Sequence, residues 1–234
     1  MELNRQRPAA GEPVPNWRPR PLPPRTTMEG VFVRLEPFDA DAHARALFDA
    51  YSETGGPDVW EYTPTGPFPD YPAFDDYARS AMAGSERLFF AIADKGSNRV
   101  LGSAALMNAV PEHGVIEIGS IAYAPALRRT VAATEAMALF ATRVFDELGY
   151  RRYEWKCNVR NEASKAAALR LGFSFEGVFR NHMVVRGLNR DTAWFSITAA
   201  EWPKVKRGLL RWLSLDNFDA AGRQKRSLAA LRDA

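Results

Sequence analysis

The chain has 234 residues, enough for one domain of ordinary size with extensions and a substantial buried core. With 46% hydrophobic and 25% charged residues, no apolar run of about eighteen residues and no leader pattern, it reads as a soluble cytoplasmic chain with neither membrane span nor export signal. Its net charge is only +3, too small to mark a nucleic-acid-binding protein, and the single cysteine, Cys157, rules out an internal disulfide and leaves no cluster for a metal.

Residues 1–27 are rich in proline and arginine and read as an extended arm, either disordered or laid across the domain with Trp17 as an anchor. The domain proper is expected over 28–200. It opens with a strand near 31–35 and a helix over 40–51 capped by Asp39. The aromatic, turn-rich segment 54–69 suits a loop lining a pocket rather than a core element. A helix starts near Pro72 and places Phe74, Tyr77, Ala78, Ala81 and Met82 on one face. Strands at 88–93 and 99–108 flank a turn at Asp94–Asn98 and predict a hairpin.

A strand at 115–123 precedes a helix over 129–148, whose Met137, Phe140, Val144 and Leu148 bury one face and which Gly149 ends. A strand at 151–157, a helix at 162–171 and a strand pair turning at Gly187–Arg190 complete the domain. The alternation predicts an α/β (α+β) fold, a mixed sheet with helices on both faces. Residues 201–234 read as a helical tail, with helices at 201–214 and 219–232. Its lysines and arginines read as the solvated face of amphipathic helices, so nucleic acid is an unlikely partner. Whether the tail folds back or pairs two copies into a homodimer is left open.

The helix beginning near residue 129 follows directly on a strand. A helix start presents unpaired amides and the positive end of its dipole, a natural seat for a phosphate. Arg128 and Arg129 add cationic donors there, although an ordinary basic turn would look the same. Asn161 can cap the 162–171 helix and Gly172 can end it. His43, His113 and His182 lack metal spacing.

The run from Val115 to Gly177 (VIEIGSIAYAPALRRTVAATEAMALF…NVRNEASKAAALRLGFSFEG) resembles the acyl-coenzyme A half of a GCN5-related N-acetyltransferase (GNAT). Gly30-x-x-Val33-Arg34-Leu35, Thr134-Glu135-Ala136, Leu148-Gly149 and Arg190-Asp191 resemble its ribosomal-protein N-acetyltransferase-like (Rim-type) branch. The resemblance implies a mostly antiparallel central sheet with splayed central strands. It also implies acetyl-CoA as cosubstrate, no metal, and an acceptor amine on a peptide N-terminus or a small molecule. Pyrophosphate would lie on the loop Arg128, Arg129, Thr130, Val131, Ala132, Ala133 and Thr134. Pantetheine would meet Asn161, Ser164 and the backbone of Ile121, Ala122 and Tyr123. The family's loop glycines fall at Arg129 and Val131 here, and a plain right-handed first turn that still offers its amides is expected in their place.

Attack on the acetyl group needs a neutral amine, and a lysine-like amine needs a base more than an α-amino group does. Glu117 on the 115–123 strand is the first candidate, with Ile116 and Ile118 on the opposite face and Glu154 as the weaker alternative. Ser164, Tyr123 and Ser120 are candidates to protonate the leaving thiolate. An acetyl-cysteine route through Cys157 is disfavoured, because no base adjoins it in sequence. Trp60, Tyr62 and Phe68 of the 54–69 loop, with Arg180, His182 and Trp194 of the last strand pair, are expected to shape the acceptor pocket. The alternative is a catalytically silent coenzyme- or protein-binding module, which the missing glycines favour.

Overall fold

A computed structural model describes residues 11–55 and 57–234, so the first ten residues of the expected arm lie outside the described residues. Eight strands form one sheet in the order β1-β2-β3-β4-β5-β6-β8-β7. They are β1 (Met28–Glu29), β2 (Val33–Pro37), β3 (Arg87–Asp94), β4 (Arg99–Val110), β5 (Val115–Tyr123), β6 (Arg152–Asn158), β7 (Ser174–Val185) and β8 (Leu188–Thr198). Every neighbouring pair is antiparallel except β5 and β6, so the sheet is mixed as the alternation predicts.

The helices lie on both faces. Phe90 of β3 packs edge-on against Phe140 of α3 (Val131–Thr142), 5.4 Å between ring centres. Its cross-strand partner is Ala104. The next residue, Ser103, therefore faces the other way, and it is bonded at 3.0 Å by Tyr51 of α1 (Ala40–Ser52). Asp39 caps α1 through Ala42 N, and Met137, Phe140, Val144 and Leu148 are all buried.

Four expectations change. Helix α2 (Tyr71–Tyr77) runs into a π-turn over Ala78–Met82; Phe74, Ala78 and Met82 stay buried, but the altered pitch leaves Ala81 exposed. A second π-turn, Arg143–Glu147, follows α3. The β7–β8 turn sits at Arg186–Gly187, both at positive φ, and not at Gly187–Arg190. In the tail, α5 (Trp202–Leu213) forms, whereas α6 covers only Leu228–Arg232 because Asp219 and Asn217 bind the intervening backbone into a compact loop. Helix α4 (Glu162–Leu171) matches its expected span and ends on Gly172 at φ 104.

The tail folds back. Trp202 stacks on Phe145, with 5.0 Å between rings, and Trp212 carries the Arg170 guanidinium of α4 at 4.7 Å. Lys204, Lys206 and Arg223 pair with Asp233, Asp146 and Asp219, which neutralises much of the tail's basic charge. The described part of the arm lies on the domain. Trp17 donates to Glu112 O, Tyr150 donates to Pro21 O, and Arg143 donates to Thr26. No helix among the described residues is long and apolar enough to cross a membrane.

Candidate active site

The centre of the sheet opens at a point written into the strand pairing. β5 and β6 run parallel only from Val115–Ile118 against Arg152–Trp155. Beyond that, β6 continues against β8 alone. β5 remains on β4 through a bulge at which Ser120 takes φ 49. A wedge therefore separates Gly119–Tyr123 from the end of β6. Ala124 N donates to Leu101 O, so the antiparallel alternation turns the backbone of Ala122 toward Ser103 on β4 and that of Ile121 and Tyr123 into the wedge. The Ala122 carbonyl also accepts from Tyr51 and the Tyr123 carbonyl from Arg128. The backbone groups of Ile121 and the Tyr123 N–H remain for a bound chain.

Glu117 stands at the narrow end of this wedge and is 5% exposed, between the buried Ile116 and Ile118. It lies directly opposite Glu154 in the parallel register. Two carboxylates so placed repel, and Lys156 resolves the conflict by reaching Glu117 at 2.8 Å and Glu154 at 2.9 Å. The Lys156 ammonium also sits 3.9 Å over the Trp194 ring. Arg152 extends the chain of charges from Glu154 (2.7 Å) to Glu176, whose carboxyl this guanidinium holds below the usual carboxylate range. Asn108 and Lys156 both donate to Oε2 of Glu117. Oε1 accepts no described donor, is not sealed from solvent, and lies next to Gly119, where a Cβ would come within 3.3 Å of it. One oxygen is anchored and the other has no described donor.

At the wide end, a single 3-10 turn, Pro125–Leu127, leads into α3. Here the expected right-handed first turn is not found: Arg129 takes φ 60, the left-handed conformation the family's glycine would adopt, while Val131 is an ordinary first helical residue. Two hydrogen bonds hold the turn. Thr130 caps α3 by accepting from Ala133 N and itself donates to Leu127 O. Arg128 is spent on the loop's own frame, donating to Tyr123 O and Gly55 O. Thr134 is buried and accepts from Arg170. The amides of Arg129, Thr130, Val131 and Ala132 have no partner among the described residues, and the Arg129 side chain is exposed beside them.

Asn161 caps α4 through Ser164 N at 2.9 Å, and the Ser164 hydroxyl accepts from Trp155 Nε1 at 2.9 Å. Cys157 is buried beside it, and burial pushes its thiol above the usual range. The Tyr123 hydroxyl is buried without a partner, and burial drives its pKa upward.

Of the expected pocket residues, Trp60 instead joins the core, edge-on to Tyr51 and Phe68, and Phe68 stacks on Tyr77 at 5.0 Å; bulky rings in a loop found a buried cluster rather than a cavity wall. Tyr62 does line a groove of about 480 Å³, between its loop, the residues after β6 and the β7–β8 tip. Arg186 at that tip donates to Trp60 O and Thr65 O, tying the hairpin to the loop. Arg180 is exposed, and His182 packs against Phe179 and bonds Thr192. His113 is exposed in a turn, and His43 is a buried network residue on Glu36. Among the described residues no cluster of three or more His, Cys, Asp or Glu is arranged to hold a metal. Lys156 and Asn108 escape a motif-based reading; the alternation in YEWKC, which sets Glu154 and Lys156 on one face, is the available signal for the lysine.

Residues 33–174 match the family model described as acetyltransferase (GNAT) domain. The chain is 48% identical to a GCN5-related N-acetyltransferase from Brucella melitensis of known crystal structure, covering 94% of this chain and 100% of that one, with a TM-score of 0.93. It is 42% identical to a "probable acetyltransferase (GNAT family)" from Chromobacterium violaceum ATCC 12472, covering 83% and 96% of the two chains, with a TM-score of 0.77. Over 73 residues it is 34% identical to "Putative ribosomal N-acetyltransferase YdaF" of Bacillus subtilis (strain 168). That stretch spans 31% of this chain and 40% of the YdaF length.

Proposed function

The chain belongs to the GNAT acetyltransferase family, and from that premise we propose that it moves an acetyl group from acetyl-CoA to a primary amine by direct attack in a ternary complex. The residues suit the cosubstrate. Four unpartnered amides at the start of α3 offer hydrogen bonds to a diphosphate, with the exposed Arg129 as counter-charge. The inward-turned backbone of Ile121 and Tyr123 offers strand-like pairing to the pantetheine amides. Asn161 and Ser164 lie at the start of α4.

The observation that carries the reading is the free Oε1 of Glu117 at the closed end of the wedge. Oε2 is fixed by Lys156 and Asn108, so the carboxylate has one orientation, and Oε1 accepts a proton as the amine attacks. Tyr123 and Ser164 supply hydroxyls for the departing thiolate. Neither requires a metal or a covalent enzyme intermediate. The acceptor is a protein N-terminus or a small-molecule amine, and we place the reaction in the cytoplasm.

A panel of N-terminal peptides, lysine peptides, polyamines and aminoglycosides, followed by thiol release from acetyl-CoA, tests this reading. Turnover with at least one amine, lowered at least about tenfold in Glu117→Gln, is the expected result. Coenzyme binding without turnover on any amine would instead make the chain a silent coenzyme-binding module.

A further inference from the structure

Three guanidiniums, those of Arg160, Arg186 and Arg190, line the groove beside the wedge, against the carboxylates of Glu61 and Asp191. None of the three lies within ion-pair distance of a carboxylate among the described residues. Asp191 accepts through one oxygen, Oδ1, from Asn181 N at 2.7 Å and Asn189 at 3.0 Å, and these bonds with the nearby Arg180 and Arg160 charges hold its carboxyl below the usual range. Arg186 spends its donors on Trp60 O and Thr65 O. The guanidiniums of Arg160 and Arg190 donate to nothing described, and Arg190 Nε is shut away from water with no acceptor. A guanidinium carries five donors, and those of Arg160 and Arg190 have no described acceptor, so an anion in the groove would find them unmatched.

The groove's position relates these donors to the acceptor. It begins at Asn158, two residues along β6 from the Lys156 that grips Glu117, a separation of about 7 Å. Its volume falls within the usual size of a small-ligand site. We infer that the acceptor is an amine carrying a carboxylate or phosphate a few bonds from its nitrogen, with the anion seated on Arg190 and Arg160 while the amine meets Glu117. This deepens the acetyltransferase reading and rests on it.

The test uses matched acceptors: N-terminal peptides with Glu or Gln in the second and third positions, and an aminoalkyl phosphate with its parent amino alcohol. The two pairs distinguish carboxylate from phosphate as the anion's source. With the full-length enzyme, the anionic member of at least one pair should show kcat/KM about tenfold or more above its neutral partner. That ratio should shrink with added salt and fall toward one in Arg190→Met and Arg160→Met. Arg190→Lys should retain part of it. Arg160 is exposed, so its variant keeps the test open if Arg190→Met does not fold.

Equal kcat/KM for both members of both pairs would overturn the inference while leaving the acetyltransferase reading in place. So would a rise in KM for acetyl-CoA that is the same for every acceptor, since the guanidiniums would then serve the coenzyme. Failure of every amine to react would remove the reading and this inference together. Calorimetric titration of the aminoalkyl phosphate gives a readout apart from turnover: binding that Arg190→Met abolishes supports the site, and none to the wild type excludes it for phosphate.

Discussion

Lys156 bridges Glu117, at 2.8 Å, to the carboxylate that faces Glu117 across the parallel strands. The base candidate is thereby fixed through one oxygen by a cation that also separates two like charges. Removing each partner should have a different signature. Glu117→Gln should cut kcat by at least about tenfold, as expected when a general base is lost, with near-normal binding of coenzyme A. An unchanged kcat would remove Glu117 from the chemistry. Lys156→Met leaves Glu117 with no cation, facing Glu154 that Arg152 alone still pairs, and should cost about 3 kcal/mol of stability, read as a lower denaturant midpoint. A midpoint equal to wild type would show that the pair carries no structural role.

Arg129 holds a left-handed backbone in the turn that leads into α3. Arg129→Gly should stabilise the protein by up to about 1 kcal/mol, the relief of strain offset by the freer unfolded glycine. In a chain of this size that raises Tm by roughly 2–4 °C. The same variant should weaken coenzyme binding through the lost exposed cation. A fall in Tm would mean the side chain contributes more than its backbone costs.

This turn also marks a boundary of what the sequence disclosed. The succession of elements along the chain, the extents of β5 and α4, the caps Asp39 and Asn161 and the buried stripe of α3 follow from period, cap chemistry and glycine placement, all local signals. The conformation of Arg129 was not local. Its side chain gives no hint of positive φ, and the turn is held by Thr130, Leu127 and the Arg128 bonds to Tyr123 and Gly55. The same holds for Trp60 and Phe68. Their loop setting suggested a cavity wall, but Tyr51, Phe74 and Tyr77, from two helices, capture them. Glu117 was legible as a carboxylate on a central strand; its clamp by Lys156 and Asn108 depended on a register that only the folded sheet supplies.

Burial pushes the hydroxyls of Tyr51, Tyr123 and Tyr153 above the ordinary tyrosine range. A group whose folded pKa is raised contributes stability that is complete below its unfolded value and lost as pH climbs past it. Stability should therefore hold up to about pH 10 and fall steadily above it, because the unfolded chain releases these protons first. Tyr123→Phe, which gives up no hydrogen bond, should keep its neutral-pH stability and show a shallower alkaline decline. An alkaline slope identical to wild type would contradict this account. Lost turnover in that variant with Tm intact would assign the thiolate's proton to Tyr123.

The Glu135 carboxylate on α3 accepts from Val31 N, Phe32 N and Val33 N at 2.8, 2.6 and 2.9 Å. Glu135→Ala strands three backbone donors at once, at about 1–3 kcal/mol each where buried, so a loss of about 3 kcal/mol or more is expected in chemical denaturation. Glu135→Gln keeps one acceptor oxygen and should fall between. A drop below about 1 kcal/mol for the alanine would show that water replaces the carboxylate.

That same contact dictates an order of assembly. Residues 31–33 leave the ribosome about a hundred positions ahead of their acceptor, and no nearer carboxylate bonds their amides. The first edge of the sheet stays unsealed until the central helix has been synthesised and docked, so the earliest part of the domain to be made cannot complete its own hydrogen bonding when it emerges.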